Sequence, residues 1–368
     1  MTVILFLAIL VALILVHEFG HFLVAKWARI RVDEFGIGFP PRLFGRKRGE
    51  TLYSVNALPL GGFVKIFGED PSEAALSGPD AARSFIHKPK IVQLAVLVAG
   101  VFGNIILAWL LLSLGFTIGM PTALEQTEGH TLTDVRLVTT SVLPDSPAEK
   151  AGFLLGDSIQ ELSVGQFSVR PEKPEDVAAF VSAHGKEDVT VLVSRDDRQK
   201  KFTVQPKVGV IANEPEVPAI GIAMGVVGTL TLPPPLALIE GAQATGGLLR
   251  GTVVGLYHFV VQALAGAGDF SQITGPVGIV GLVGDASALG FIYLLSFTAL
   301  ISVNLAVINL LPFPSLDGGR FLFVIIEAMK GSAIKPAIAN TVNAVGFILL
   351  ILLMLAVTYH DIVKLVTS

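Results

Sequence analysis

The stretch His17-Glu18-Phe19-Gly20-His21 lies at the inner end of an almost uncharged apolar run that extends from Thr2 to Val16. Two histidines four residues apart stand on one face of a helix, close enough to hold one zinc ion, with Glu18 beside them. Ionisable residues at membrane depth are energetically expensive, so a cluster of three indicates a functional site. The motif alone occurs by chance, but its place in a membrane segment argues for function.

The composition indicates an integral membrane protein. Of the 368 residues, 52% are hydrophobic and 15% are charged, whereas soluble globular proteins carry about 25% charged residues. The net charge of −4 gives no reason to expect a nucleic-acid partner. Because the chain has no cysteine, disulfides, thiolate metal sites and a cysteine nucleophile are excluded.

Four stretches are apolar enough to cross the lipid bilayer, which takes a helix of roughly 20 residues. They run from about Val3 to Ala25, from Ile91 to about Met120, from about Phe291 to Leu311, and from about Ala339 to Val357. In the second stretch, Gly100, Gly103 and Asn104 suit close helix contact and interhelical hydrogen bonding. The predicted fold class is a polytopic α-helical membrane protein with about four transmembrane helices.

Basic residues predict the orientation of these spans in the inner (plasma) membrane. They follow the first span, precede the second, and separate the third from the fourth; they are Lys26, Arg29, Arg31, Arg42, Arg46, Lys47, Arg48, Arg83, Lys88, Lys90, Arg320, Lys330 and Lys335. Loops rich in Lys and Arg face the cytoplasm. Both termini and the segment from about Pro121 to Leu289 are therefore expected outside, with the histidine motif towards the cytoplasmic face.

The chain is predicted to divide into four parts. Residues 1–120 form the first membrane half, 121–230 a PDZ-like domain with its core at about 134–207, 231–289 interfacial amphipathic helices and a loop, and 290–368 the second membrane half. The run Ser146-Pro-Ala-Glu-Lys-Ala-Gly-Phe-Leu-Leu-Gly-Asp resembles the bacterial kind of PDZ domain. That resemblance implies an inserted α+β domain that takes an extended peptide ligand as an added strand. A folded spacer without a ligand is the alternative.

Residues 51–68 are predicted to form a β-hairpin on the cytoplasmic side. Two β-like runs, Thr51-Leu-Tyr-Ser-Val-Asn and Gly62-Phe-Val-Lys-Ile-Phe-Gly, surround Pro59, Gly61 and Gly62. An open hairpin edge could hold a substrate strand beside the metal, which makes Gly61 and Gly62 candidate substrate contacts. A hairpin that only packs against the first span is the alternative.

The histidine pair needs a third ligand, because a catalytic zinc site usually has three protein ligands and a fourth position for water. The best candidate is Asp317, in the run Asn309-Leu-Leu-Pro-Phe-Pro-Ser-Leu-Asp-Gly-Gly-Arg at the cytoplasmic end of the third span. The predicted topology agrees, since the first and third spans both end on the inner side.

The local sequence around this aspartate suits an interrupted helix. Pro312 and Pro314 break the helix, and Gly318 and Gly319 relax the backbone, so the carboxylate can turn towards a metal held by a neighbouring helix. The alternative role is a helix cap or a partner for Arg320.

Two asparagines, Asn304 and Asn309, are polar residues within or at the end of the third span. Interhelical hydrogen bonding, worth ~1 kcal/mol, is one role for them. The other is to hold the substrate backbone or the developing oxyanion near zinc. A substrate contact is slightly favoured, for Asn304 more than for Asn309.

Taken together, HEFGH in the first span, the Gly61-Gly62 hairpin, one PDZ-like domain and Pro314-Ser-Leu-Asp-Gly-Gly resemble the site-2 protease family of intramembrane zinc metalloproteases. The resemblance covers nearly the whole chain and is nearest to the bacterial branch typified by RseP and RasP. It implies one zinc ion bound by His17, His21 and Asp317, with Glu18 as the general base. A single PDZ-like motif fits the RasP arrangement better than the tandem pair of RseP.

The resemblance also implies substrates and partners. Family members cleave single-pass membrane proteins within their transmembrane segments in regulated intramembrane proteolysis, and anti-sigma factors or signal-peptide remnants are common substrates. A different class of function is a catalytically inactive membrane adaptor whose PDZ domain binds exported peptide tails. A metal or ion transporter is a third, but it would need polar residues along several spans.

Overall fold

The computed structural model describes residues 1–69, 78–124, 131–195, 198–211, 214–266 and 274–367. The described chain forms two compact units. The first is built from Met1–Gly115 and from the chain after Pro233, and the second from Phe116–Pro233.

The secondary structure follows in chain order. The helices are α1 Thr2–Trp27, α2 Lys90–Ile118, α3 Pro147–Ala151, α4 Pro174–Ala183, α5 Pro234–Leu264, α6 Pro276–Leu289, α7 Phe291–Leu310, α8 Asp317–Lys330 and α9 Pro336–Thr367. The strands are β1 Val32–Arg48, β2 Thr51–Ile66, β3 Met120–Ala123, β4 Thr133–Val142, β5 Ser158–Val164, β6 Phe167–Val169, β7 Val189–Arg195, β8 Arg198–Val204 and β9 Ile222–Leu230.

Four helices of the described chain are long and apolar enough to cross a membrane. They are α1, α2, α7 and the Pro336–Val363 part of α9. The four predicted stretches are thereby confirmed as helices of membrane-crossing length, with ends that differ by a few residues.

One stripe of α1 faces the interior of the first unit. Its buried residues are Leu13, His17, His21 and Ala25, spaced by four along the helix. Residues at this spacing share one helix face. Since the helix is apolar all round, hydrophobic periodicity alone does not show which face packs against the protein. The two histidines mark that face.

The backbones of α1 and α2 are in close contact. A Cβ added at Gly20 of α1 would lie 2.3 Å from the carbonyl oxygen of Ala99, and one added at Gly103 of α2 would lie 2.9 Å from the carbonyl oxygen of Val16. Small residues allow this approach between membrane helices. The prediction that the glycines of the second span serve close helix contact is confirmed.

The prediction of a hairpin within residues 51–68 is wrong in its pairing. The structure has one strand, β2, over this stretch, and its antiparallel partner is β1. Residues 34–37 of β1 pair with two parts of β2, residues 52–55 and 62–65, so the two β-like runs flank a segment of β1. The sequence does not reveal β1 because its glycines, prolines and basic residues are typical of loops.

The β1–β2 sheet packs on α1 through aromatic rings. The ring of Phe22 lies 5.4 Å from that of Phe35 and 6.1 Å from that of Tyr53, edge-on to both. Such pairs are favourable beyond the area they bury. The sheet is therefore attached to the same helix that carries the two histidines.

The turn between β1 and β2 is held by ion pairs at Glu50. Its carboxylate lies 2.7 Å from the ammonium group of Lys26 and 2.7 Å from the guanidinium group of Arg83. Hydrogen bonds from Lys26 and Arg83 hold the pKa of Glu50 below its usual range. The end of α1 and the tip of the sheet are thereby joined.

The chain between α7 and α8 folds back tightly. Ser315 has a φ of +75°, and its hydroxyl donates a 2.6 Å hydrogen bond to the carbonyl oxygen of Asn343. A Cβ added at Gly318 would lie 2.1 Å from the carbonyl oxygen of Leu311. The predicted interruption of the helix is confirmed, and Gly318 lets the start of α8 approach the backbone at the end of α7.

The region predicted as interfacial helices contains α5 and the shorter apolar α6. The N-terminus of α6 is capped by Asp361 of α9, whose carboxylate accepts hydrogen bonds from the backbone N–H groups of Gly275 at 3.1 Å and Gly278 at 2.8 Å. A carboxylate at this end satisfies free N–H groups and complements the helix dipole. The interfacial position of α5 remains a prediction.

The second unit is an antiparallel sheet with two helices. The strand order is β3-β9-β4-β5-β7-β8, and β6 pairs with β5. Buried side chains from the strands, α3 and α4 form one hydrophobic cluster. The helical turn predicted after Ser146 is α3: the Ser146 hydroxyl caps it by accepting from the N–H of Glu149, and it ends at Gly152 with a φ of +91°. β9 lies outside the predicted core of 134–207.

A buried ion pair lies in this unit. The fully buried carboxylate of Asp157 is 2.5 Å and 2.6 Å from two nitrogens of the Arg195 guanidinium group, and it also accepts the backbone N–H of Leu154. Removing one member of such a pair leaves an uncompensated charge in the interior.

We expect Arg195→Leu to destabilise the second unit by about 3–5 kcal/mol, because the Asp157 carboxylate stays buried without its main partner. Hydrogen exchange of the β5 and β7 amides in the full-length protein measures this as lost protection. Arg170→Leu is the matched control: Arg170 is 86% exposed and 3.7 Å from Glu161, so that change should cost at most about 1 kcal/mol. Equal protection in both variants would contradict a stabilising role for the ion pair between Asp157 and Arg195.

Candidate active site

The imidazole rings of His17 and His21 lie in the buried stripe of α1. They are 6% and 7% exposed, and their ring centroids are 4.8 Å apart at a steep angle. The spacing of four residues brings both Nε2 atoms to the same side of the helix, 3.2 Å from each other.

A third side chain reaches this point from the start of α8. The Asp317 carboxylate oxygen lies 2.9 Å from Nε2 of His17 and 3.3 Å from Nε2 of His21. The three predicted ligand residues are thus together, although 300 residues separate the first from the last.

The spacing of the three atoms suits a zinc ion. Zinc bonds of roughly 2.0–2.2 Å in a tetrahedron separate neighbouring ligand atoms by about 3.3 Å, and the distances here are 2.9–3.3 Å. Within the described ranges it is the only group of three such side chains that could hold a metal ion. Two imidazoles and one carboxylate leave a fourth position open, as a catalytic site requires.

The α2 backbone makes room for the imidazoles at Gly100. A Cβ there would lie 2.3 Å from Nε2 of His21 and 2.8 Å from Nε2 of His17. No side chain fits in that space together with the rings. Gly100 therefore belongs to the site, a role that its predicted part in helix contact did not include.

The Nδ1 atoms of both imidazole rings face α2. The Nδ1–H of His21 donates to the carbonyl oxygen of Val96 at 2.8 Å, which leaves its Nε2 lone pair available for a metal. Nδ1 of His17 lies 3.3 Å from the carboxamide of Asn104. The predicted interhelical hydrogen bonding of Asn104 is thereby confirmed, but sequence reasoning did not assign Asn104 to the site. The need of a ligating imidazole for a partner on its second nitrogen is the signal that could have found that role.

The side chain of Glu18 lies next to the cluster, on the side of the β-sheet. Its carboxylate accepts a hydrogen bond from the backbone N–H of Val64 in β2. Together with His21, Val64, Asp317 and Phe63, it lines a cavity of about 230 Å³. Glu18 is thus placed to exchange a proton with a molecule in that cavity.

An ion pair forms another part of the cavity wall. Arg320, one turn after Asp317 on α8, contacts the carboxylate of Glu69, and both side chains line the cavity. The Asp317 carboxylate contacts His17 and His21.

The predicted substrate contacts lie at different distances from the cluster. The Asn309 amide nitrogen is 3.4 Å from Nε2 of His17, whereas the Asn304 carboxamide oxygen accepts a 2.8 Å hydrogen bond from Thr252 of α5. A Cβ at Gly62 would lie 3.4 Å from Cγ of Glu18, and one at Gly61 would meet the ring of Phe39. Asn309 and Gly62 are therefore the two beside the site.

Comparison with known proteins agrees with this geometry. The sequence model of peptidase family M50 matches residues 5–353. A Clostridium perfringens protein described as a zinc metalloprotease is 36% identical over 352 residues, covering 96% of each chain. The Regulator of sigma-W protease RasP of Bacillus subtilis is 29% identical over 444 residues, covering 99% of each chain. The zinc metalloprotease RasP of Geobacillus kaustophilus is 28% identical over 437 residues, covering 99% of this chain and 98% of the relative.

We expect Gly100→Ala to weaken zinc binding by at least about tenfold, because the added methyl group occupies the space of the Nε2 atoms and displaces the ligands. Zinc content and affinity of the purified protein measure this. Gly246→Ala on α5 is the matched control, since a Cβ there meets open space and alanine favours the helix. Full zinc affinity in the Gly100 variant would contradict the geometry.

Proposed function

The chain belongs to peptidase family M50, and on that premise we propose that it hydrolyses peptide bonds within the transmembrane segments of single-pass membrane proteins. It is a zinc metalloprotease of the membrane. In the proposal, His17, His21 and Asp317 are the zinc ligands and Glu18 is the general base.

The convergence of three ligand atoms beside Glu18 carries this proposal. Two buried imidazoles and a carboxylate, brought together from α1 and α8, meet at distances of 2.9–3.3 Å. A membrane adaptor has no need for such a cluster, and polar groups at this depth are costly unless they serve a function.

The residues divide the chemistry between them. Zinc, when bound, supplies Lewis-acid chemistry, which polarises a carbonyl oxygen and makes water more acidic. Glu18 accepts the proton of the attacking water and passes it to the leaving nitrogen. The N–H of Val64 holds the Glu18 carboxylate on the cavity side. His17, His21 and Asp317 keep their ligand atoms fixed by mutual packing.

The substrate must be unwound locally, because the peptide bonds of a transmembrane helix are hidden by their own hydrogen bonds. Residues 62–65 of β2 support strand addition. Among the described strands they pair only with β1, on one side, and their other edge lies next to Glu18. We assign the substrate backbone to this edge, at Gly61 and Gly62. Asn309 is the better placed asparagine, because Asn304 is already bonded to Thr252.

The second unit is assigned as a PDZ-like domain that binds an extended peptide. An antiparallel sheet, two helices and the capped turn after Ser146 support this. Basic loops support a cytoplasmic position for the β1–β2 sheet, with this domain and both termini outside. Anti-sigma factors and signal-peptide remnants are the proposed substrates; the Bacillus subtilis relative is named a regulator of sigma-W.

Two substitutions test the proposed roles. We expect Glu18→Gln to retain stoichiometric zinc while cleavage of a single-pass reporter falls by roughly 10²–10⁴-fold, because the proton acceptor is lost. Asp317→Asn should lose both zinc and cleavage. Elemental analysis and a cleavage assay in membranes measure the two properties. Undiminished cleavage in the Glu18 variant, or unchanged zinc in the Asp317 variant, would remove the corresponding role.

The orientation is testable because the chain has no cysteine. Single cysteines at two exposed positions, Arg48→Cys in β1 and Gln166→Cys between β5 and β6, report the two sides. We expect a membrane-impermeant maleimide to label the Gln166 variant in intact spheroplasts and the Arg48 variant only after permeabilisation. The reverse pattern would refute the proposed topology.

A further inference from the structure

We propose that Asn104 is a positioning residue for His17, whose Nδ1–H it accepts so that Nε2 presents its lone pair to the metal. The inference rests on the proposed zinc site and extends it to a side chain that binds neither metal nor substrate.

The carboxamide of Asn104 is buried against the outer face of the His17 ring. Asn104 is 0% exposed, and its amide nitrogen Nδ2 lies 3.3 Å from Nδ1 of His17. The α2 helix fixes the backbone of Asn104, and its carbonyl oxygen also accepts a 2.8 Å hydrogen bond from the hydroxyl of Ser302 on α7. The side chain therefore has a defined position next to one particular nitrogen.

The direction of this hydrogen bond follows from the chemistry of imidazole. A neutral ring has one N–H donor and one acceptor nitrogen. Nε2 of His17 is the nitrogen that points at Asp317 and His21, so it must be the unprotonated one in a metal site. Nδ1 then carries the hydrogen and requires an acceptor.

Asn104 can supply that acceptor. Its Oδ1 is buried and has no hydrogen-bond partner among the described residues. A half-turn about the last side-chain bond exchanges the oxygen and nitrogen of a carboxamide. When the carboxamide is turned so that Oδ1 faces His17, Oδ1 accepts the hydrogen bond of the Nδ1–H. Both buried polar groups then have a partner.

The same arrangement exists at the neighbouring ligand. His21 donates its Nδ1–H to the backbone carbonyl oxygen of Val96 on α2. In the proposal, Asn104, also on α2, is the corresponding acceptor for His17. Outer partners of this kind fix the tautomer and the orientation of ligating histidines. Because the partner of His21 is a backbone atom, Asn104 is the member of the pair that substitution can remove.

The test compares the zinc affinity of the full-length protein and three variants, by competition with a chromophoric chelator in detergent. Asn104→Leu keeps the branching at Cγ but removes the acceptor, and we expect affinity to fall roughly 10–100-fold. Asn104→Asp keeps an acceptor and should stay within a few-fold of the parent. Ser302→Ala is the matched control, since it removes a bond to the same residue without touching the carboxamide; it should also bind like the parent.

A second measurement separates positioning from a general packing defect. The visible absorption spectrum of the cobalt(II)-loaded protein reports the ligand geometry, and it should change in Asn104→Leu but not in Asn104→Asp. Parent-like affinity and spectrum in Asn104→Leu would overturn the inference, as would equal losses in the Leu and Asp variants.

His17→Ala, measured in parallel, distinguishes a failure of the proposed zinc site from a failure of the proposed role of Asn104. Unchanged zinc affinity in that variant would overturn the proposed zinc site, and the role of Asn104 with it. Loss of affinity in His17→Ala together with full affinity in Asn104→Leu would overturn the role of Asn104 alone.

Discussion

The contact between α1 and α2 is the constraint on which the site depends. Gly20 and Gly100 let the two backbones approach until no further side chain fits between them. The imidazoles of His17 and His21 are therefore enclosed by protein, although they belong to a helix that is apolar on every side. In hydrocarbon, each unsatisfied polar group would cost several kcal/mol. The contact thus makes the ligand pair compatible with membrane depth.

Each polar group of the site has a partner from a different element. α2 contributes Val96 to His21, β2 contributes the N–H of Val64 to Glu18, and α8 contributes Asp317 to both rings. β2 joins the sheet to the site, because it packs on α1 through Tyr53 and lines the cavity beside Glu18.

The sequence predicts the spans, the two histidines and Asp317, because length, apolarity and four-residue spacing are local properties and the third ligand follows from the coordination that zinc requires. It does not predict β1, whose glycines, prolines and basic residues are typical of loops. It does not predict the role of Asn104 either, which depends on how α2 is rotated against α1. The rotation and register of packed helices arise from tertiary contacts that no single segment encodes.

The three proposed ligands come from opposite ends of the chain, with 300 residues between His17 and Asp317. At roughly 5–20 residues per second, a ribosome needs about 15 to 60 s to synthesise that interval. Throughout this time the nascent protein holds the two imidazoles without the proposed third ligand. On the proposed ligand set, the metal site cannot be completed before Asp317 has been synthesised, so a product that terminates before this residue is inert towards its neighbours in the membrane.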